Sequence, residues 1–178
     1  MIMEKRFLEN IKLNKNLSSS EFRMPIQWIN RPDQNFRGLC GRISSGQLKV
    51  GQKISVLPAG SVTTVKRIIS PRGDVDFADA GTSVTLCLED EIDISRGDIL
   101  SGVNNKPEIT DQFKAKVVWM HEKPLFSGRN YILRTSTGFA VAQITSINNK
   151  IDLLTLTQSS AKALSLNEIG SCNFALDR

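Results

Sequence analysis

The 178-residue sequence has one histidine, one tyrosine, two tryptophans and three cysteines, and each shortage removes a class of function. A single histidine, His121, cannot build a multi-histidine metal site, and with Glu122 beside it reads as a residue at the exposed end of a strand. Cys40, Cys87 and Cys172 lie far apart, are odd in number and form no CxxC pair. That pattern excludes a disulfide framework or a zinc knuckle, points to a reducing, cytoplasmic setting, and leaves the cysteines as small buried apolar residues. Nowhere do apolar residues run for the roughly 20 positions that a membrane helix requires. The N-terminus meets charge at Glu4, Lys5 and Arg6, too early for the apolar stretch of a signal peptide. No GxxxxGK[ST] or GxGxxG occurs, so no loop is built to cradle phosphates.

Charge is present without being concentrated. Lysine and arginine number 23 and acidic residues 18, a formal net charge of +5. The basic residues are scattered, with Lys114 and Lys116 the densest short group, so no basic stripe marks a nucleic-acid face. The one acidic cluster, Glu89, Asp90, Glu91, Asp93 and Asp98, lacks calcium-loop spacing and reads as a solvated loop or a face turned toward a basic partner. Asn149-Lys150-Ile151-Asp152 matches the four-letter guanine-reading pattern of GTPases. Without a phosphate loop it reads as part of a hairpin turn at Asn148-Asn149, leading into a strand over 151–157. Arg-Gly-Asp at 72–74 and again at 96–98 is turn chemistry in a chain of this kind.

From Met24 onward the hydrophobic period is two. Val84, Leu86 and Leu88 alternate with Ser83, Thr85 and Cys87; Phe113, Ala115, Val117 and Trp119 alternate with Lys114, Lys116, Val118 and Met120. Ala140, Ala142 and Ile144 continue the pattern, as do Cys172, Phe174 and Leu176. This is the alternation of strands with one buried face, punctuated by turns at Ser45-Gly46, Pro58-Ala59-Gly60 and Pro71 to Asp74. The fold class expected is all-β, with two antiparallel β-barrels. A helix over 4–13, carrying Phe7, Leu8 and Ile11 on one stripe, precedes them through a polar linker at 14–20. The polar, proline-containing stretch 102–108 marks the division between units. The expected domains are therefore 1–22 for the helix and linker, 23–105 for the first barrel and 106–178 for the second. Gly46 and Gly51 bracket a connection where positive φ is useful, while Gly38 and Gly41 fall inside a strand, where a missing side chain permits close approach. No nucleophile–base pair, metal set or cofactor loop emerges, so no residue of this chain is assigned a catalytic, cofactor or metal role.

The order of motifs resembles the large, GTP-binding subunit of bacterial-type sulfate adenylyltransferases. The resemblance runs through Phe22 to Asp33, Asn35-Phe36-Arg37-Gly38, Gly41 to Gly46, Val50-Gly51-Gln52, Ala80-Gly81 and Glu91 to Asp98. It continues in Val117 to Met120, Pro124-Leu125, Gly128 to Tyr131 and Leu166 to Gly170. Arg37, Gly38, Gly41, Gly46, Gly51, Gly81, Arg96, Gly97, Asp98, Trp119 and Gly128 are the family's structural motif residues in this sequence. The glycine rhythm and Arg-Gly-Asp are shared with the wider elongation-factor-Tu-like GTPases. The resemblance implies two barrels that follow a GTPase domain, with the 4–13 helix as the stump of that domain. GTP and Mg²⁺ are then expected in the GTPase domain and not in this chain. In that family GTP hydrolysis drives the adenylylation of sulfate by ATP, a nucleotidyl transfer performed by a separate small subunit. This region would couple the GTPase domain in cis to that subunit without being catalytic itself. A module binding RNA, as related barrels of translation factors do, is the alternative and lacks a basic stripe. The family's third domain continues past Arg178, and roughly five strands follow Pro107 where six are expected. An open edge near the C-terminal strand is therefore expected, with self-association through it.

Overall fold

The computed structural model describes residues 20–177, so the helix expected over 4–13 lies outside them. All regular structure among the described residues is β, and the chain divides into two compact units, one reaching to Pro107 and the other beginning at Glu108.

The first unit contains β1 (Arg23–Asn30), β2 (Gly38–Arg42), β3 (Gln47–Lys49), β4 (Lys53–Leu57), β5 (Ser61–Ser70), β6 (Gly73–Val75), β7 (Phe77–Asp79), β8 (Ser83–Leu88) and β9 (Ile99–Gly102). They pair in the order β4-β9-β1-β2-β8-β5-β6, and β4 also pairs with β5, so the ladder returns to its starting strand. Every pairing is antiparallel. A separate ribbon joins β3 to β7.

Alternation decides which side chains fill the interior. Leu39, Val84, Leu86, Val65 and Ile68 point inward and pack on Met24, Ile26, Ile54, Val56 and Leu100. Full burial of each such side chain stabilises the unit by about 1.5–3 kcal/mol. Cys40 and Cys87 fall on the opposite parity to Leu39 and Leu86 and are half-buried. The expectation of burial therefore holds only for Cys172, which sits in the core of the second unit.

Two glycines do work that other residues could not. Gly46 has φ of +73°, and a Cβ there would lie 2.5 Å from the backbone nitrogen of Phe22, because the chain entering β1 crosses directly over this turn. The crossing is tied by Arg23 N donating to Ser45 O at 3.0 Å and Ser44 N donating to Arg23 O at 2.8 Å. Gly51 also takes a positive φ, +79°, but nothing stands within 4 Å of the position its Cβ would occupy.

The second unit contains β10 (Gln112–Val118), β11 (Leu125–Phe126), β12 (Asn130–Arg134), β13 (Phe139–Ile151), β14 (Gln158–Ser159), β15 (Ala163–Leu164) and β16 (Ile169–Asp177). The main sheet runs β10-β16-β13-β12 with β14 on β13, and β11 pairs with β15. These are seven strands where the turn signals suggested roughly five, since β11, β14 and β15 are only two residues long and leave no periodic trace. The core is small: Leu125, Ile144, Leu164 and Cys172, with Val117, Trp119, Tyr131, Ile147 and Phe174 packed around it.

Two sequence expectations are corrected here. The C-terminal strand β16 is not an edge: it pairs with β10 on one side and β13 on the other. The strands of this sheet paired on one side only, among the described residues, are β10, β12 and the two-residue β14. Asn148-Asn149 is not a turn either. Both lie inside β13, where Asn148 donates through Nδ2 to Asn173 Oδ1 at 3.0 Å and Asn149 stands opposite Ser171. The chain reverses after Ile151 instead, because Asp152 Oδ1 accepts from the backbone of Leu154 at 2.8 Å and Thr155 at 2.9 Å, an Asx-type turn.

The contrast between the two glycines gives a stability test. Gly51→Ala is expected to cost about 1 kcal/mol, the conformational penalty alone. Gly46→Ala should cost more than about 2 kcal/mol, since it adds a clash with fixed backbone. Urea denaturation of the two variants, followed by the fluorescence of Trp28 in the first unit, separates these expectations.

Candidate functional site

Of the motif residues of the first unit, Arg37 and Arg96-Gly97-Asp98 meet at one segment, the connection from Leu88 to Ile99 between β8 and β9. Arg37, just ahead of β2, reaches across to it and donates from Nη1 to the carbonyl of Ile92 and from Nη2 to that of Ile94 at 3.2 Å. Arginine suits this position because its planar fork can serve two acceptors at once. Its Nε is buried without a protein partner.

The Arg96-Gly97-Asp98 turn supplies the second attachment. Gly97, at φ of +105°, donates its N–H to Ile26 O at 3.0 Å, and Ile26 N donates to Asp98 O at 2.9 Å. The Asp98 carboxylate accepts from Ser95 N at 2.8 Å and so closes the turn on itself. These bonds meet β1 next to its irregularity between Ile26 and Trp28, where the pairing with β2 shifts register. The other Arg-Gly-Asp, at 72–74, forms the tip between β5 and β6, with Asp74 Oδ2 2.7 Å from Arg67 Nε.

Gly38 and Gly41 complete the arrangement by closeness. A Cβ on Gly38 would run into Thr85 and the ring of Phe36, and one on Gly41 would lie 2.5 Å from Pro25 O. Gly81, at φ of +92°, donates to Ile43 O at 2.8 Å and accepts from Arg42 Nε at 3.0 Å.

Between the Arg37 anchor and the barrel-type sheet lies a cleft of about 300 Å³. Its lining includes Lys66 and Arg67, the acidic Glu89, Asp90 and Glu91, and apolar Phe36, Leu39, Leu88 and Ile94. The acidic cluster is largely engaged within the unit. Asp90 accepts from Thr63 Oγ1 at 2.9 Å, Glu89 lies 3.7 Å from Lys66, and Asp98 belongs to the turn described above. Cys87 also faces the cleft; burial raises its pKa above the ordinary thiol value, opposed by the positive charge of Arg67, so it stays protonated at neutral pH. Among the described residues no group of three or more His, Cys, Asp or Glu is placed to hold a metal ion. The arrangement can fix a loop against a sheet and offer a polar, two-signed cleft.

In the second unit Trp119 donates from Nε1 to Lys123 O at 2.8 Å and meets Tyr131 edge-on at 5.6 Å. Gly128, at φ of +81°, donates to Ile144 O at 2.7 Å, which turns the chain into β12. His121 lies on the surface and accepts through Nδ1 from Lys123 N at 3.0 Å. Lys150 and Asp152 of the guanine-like motif diverge: Lys150 pairs with Glu168 at 2.8 Å, while Asp152 caps the hairpin tip. Glu168 also accepts from Ser165 N at 2.8 Å. Sequence reading passed over Glu168, and it passed over Leu153, Leu154 and Leu156, which are exposed around that tip. For the leucines a signal existed, three apolar residues crowded into a turn.

The two units match two family models. Residues 39–101 match elongation factor Tu domain 2, and residues 112–178 match the GTP-eEF1A C-terminal domain-like family. Among solved structures the chain is similar to sup35 complexed with GDP (TM-score 0.78, 17% identity) and to translation elongation factor SelB from Methanococcus maripaludis in its apo form (TM-score 0.73, 24% identity). These two similarities cover 98% and 99% of this chain and 43% and 40% of those chains. Fold and motifs together define an elongation-factor-Tu-like module pair. Within that class the chain is similar to sulfate adenylyltransferase subunit 1: it is 43% identical to that protein of Aliarcobacter butzleri over 96% of its own length, and 44% identical to that of Aliivibrio fischeri over 95%. It spans about a third of the length of these curated relatives, 36% and 35%.

Two measurements test the internal anchors. Arg37→Met leaves the carbonyls of Ile92 and Ile94 without their donors and is expected to destabilise the first unit by about 1–3 kcal/mol. Faster amide exchange should be confined to residues near 89–98. Glu168 has its pKa held below the ordinary glutamate value, first by the hydrogen bond from Lys150 and then by that from Ser165 N. The folded-state value being the lower one, its contribution is present above the unfolded value and disappears as pH falls below about 4.5. Glu168→Gln should therefore lower the melting temperature at pH 7, and the difference from the unaltered chain should shrink steadily as pH is taken below about 4.5.

Proposed function

We propose that this chain is the non-catalytic β-barrel region of the GTP-dependent subunit of a sulfate adenylyltransferase, coupling a GTPase domain in cis to the catalytic small subunit. The observation that carries the reading is the 43–44% identity to sulfate adenylyltransferase subunit 1 along nearly the whole chain. The geometry is consistent with it. Arg37 and Arg96-Gly97-Asp98 spend their hydrogen bonds fixing one loop to one sheet, as a part that transmits a displacement requires and as an active site does not.

In this reading the first unit is a barrel of the domain 2 type, and the second is of the type that follows it. GTP and Mg²⁺ belong to the GTPase domain, ATP and sulfate to the small subunit, and the assembly works in the cytoplasm. No helix among the described residues is long and apolar enough to cross a membrane.

The test is co-purification. The chain, joined to the GTPase domain that precedes it in relatives, should retain the catalytic small subunit of a sulfate adenylyltransferase on a column. Retention that persists in a glycine-rich replacement of 89–98, or no retention at all, counts against coupling through this region.

A further inference from the structure

We propose that Arg23 pins the connection that leaves the first unit to the chain that enters it, so that the arriving and departing segments move as one. The two segments are neighbours because β1 and β9 are antiparallel partners, with Arg23 opposite Ser101, Met24 opposite Leu100 and Pro25 opposite Ile99. The start of β1 therefore lies beside the end of β9, although Arg23 and Asn105 are 82 positions apart in the chain.

The arriving segment is firmly held. Phe22 is buried in the core of the unit. Arg23 N donates to Ser45 O, and Arg23 O accepts from Ser44 N at 2.8 Å and from Ser44 Oγ at 2.9 Å. Ser45 Oγ donates to Glu21 O at 2.7 Å. The departing segment is not held in this way. After β9 the chain bends through 103–105, and Asn104, Asn105 and Lys106 are exposed. Among the described residues no backbone–backbone hydrogen bond reaches 103–107. The hydrogen bond that does reach it comes from Arg23, whose Nη2 donates to Asn105 O at 2.5 Å.

The side chain is shaped for this use. Its Nη1 donates to Phe22 O at 2.7 Å, which folds the guanidinium back over its own backbone and orients it before Nη2 meets Asn105. Arginine can serve both carbonyls because its donors stand in a rigid planar fork, whereas lysine carries one charged nitrogen on a flexible stem. Among the described residues no carboxylate lies within ion-pair distance of Arg23, so its donors are spent on main chain. A charged donor on a carbonyl makes a stronger bond than a neutral pair, which suits a joint made by a single side chain.

The pin stands on these bonds; its use in passing a displacement from a GTPase domain to the connection rests on the coupling reading above. Nitrogen-15 relaxation of the 178-residue chain should give order parameters near ~0.85 at Asn104, Asn105 and Lys106. In Arg23→Met they should fall below about 0.6, with those of β1 and β9 unchanged. Arg23→Lys should behave as Arg23→Met. Ser45→Ala removes the bond to Glu21 and leaves the fork, so it should behave as the unaltered chain. Low values in the unaltered chain, high values in Arg23→Met, or equal loosening in Ser45→Ala each overturn the pin. In the chain joined to the GTPase domain that precedes it in relatives, exchanging GDP for a non-hydrolysable GTP analogue should shift the amide resonances of 104–106, and Arg23→Met should abolish the shift. A shift that survives Arg23→Met overturns transmission through the pin. No shift in either protein, with the connection loosened by Arg23→Met as expected, counts against the coupling reading and leaves the pin supported.

Discussion

A β-strand has polar backbone on two sides, and each side needs a partner. In the first unit this requirement is met by a ring of pairings: β4 serves both β9 and β5, so β9, β1, β2, β8 and β5 each have a neighbour on both sides. The interior then fills with alternate side chains, and turns can be spent on attachment instead of on covering edges. In the second unit, among the described residues, β10, β12 and the short β14 have a neighbour on one side only. The two units are built from similar alternation and differ mainly in this one respect.

The arginine anchor depends on the ring. Arg37 can reach Ile92 and Ile94 because β2 is held between β1 and β8, which fixes the residue ahead of it relative to the connection after β8. Arg96-Gly97-Asp98 meets Ile26 because β9 returns beside β1. The anchor thus ties together segments that are remote in sequence, and a rigid joint of this kind suits a module whose work is transmission. Its cleft, lined by lysine and arginine as well as glutamate and aspartate, is already half-neutralised from within.

The second unit is also the more thinly packed of the two among the described residues. Among the described residues the buried cluster of the second unit consists of Leu125, Ile144, Leu164 and Cys172, with Ala142 buried beside it in β13, and the inward positions of β10 and β12 are only half-buried. Phe113 and Phe174 stack at 5.0 Å across β10 and β16, and Trp119 and Tyr131 meet edge-on, so aromatic contacts do part of the work that a larger core would do.

The sequence alone determined the period-two pattern, and with it the all-β class and which residues of β8, β10, β13 and β16 face inward, because parity along a strand is a local property. The turns at Gly46 and Gly51 were legible for the same reason, glycine being the residue that takes positive φ without strain. What lay beyond reach was everything set by pairing between distant segments. Sequence could not show that Arg37 would find Ile92 and Ile94, or that the second Arg-Gly-Asp would be an attachment and the first a hairpin tip. Nor could it show that Asn148-Asn149 would be held in a long strand by Asn173 while Asp152 made the turn. It placed the open edge at the C-terminal strand, as chain order suggests. Only the tertiary structure could show the strands paired on one side to be β10, β12 and the short β14, because an edge is defined by which strands lie side by side, and that order is not the order of the chain.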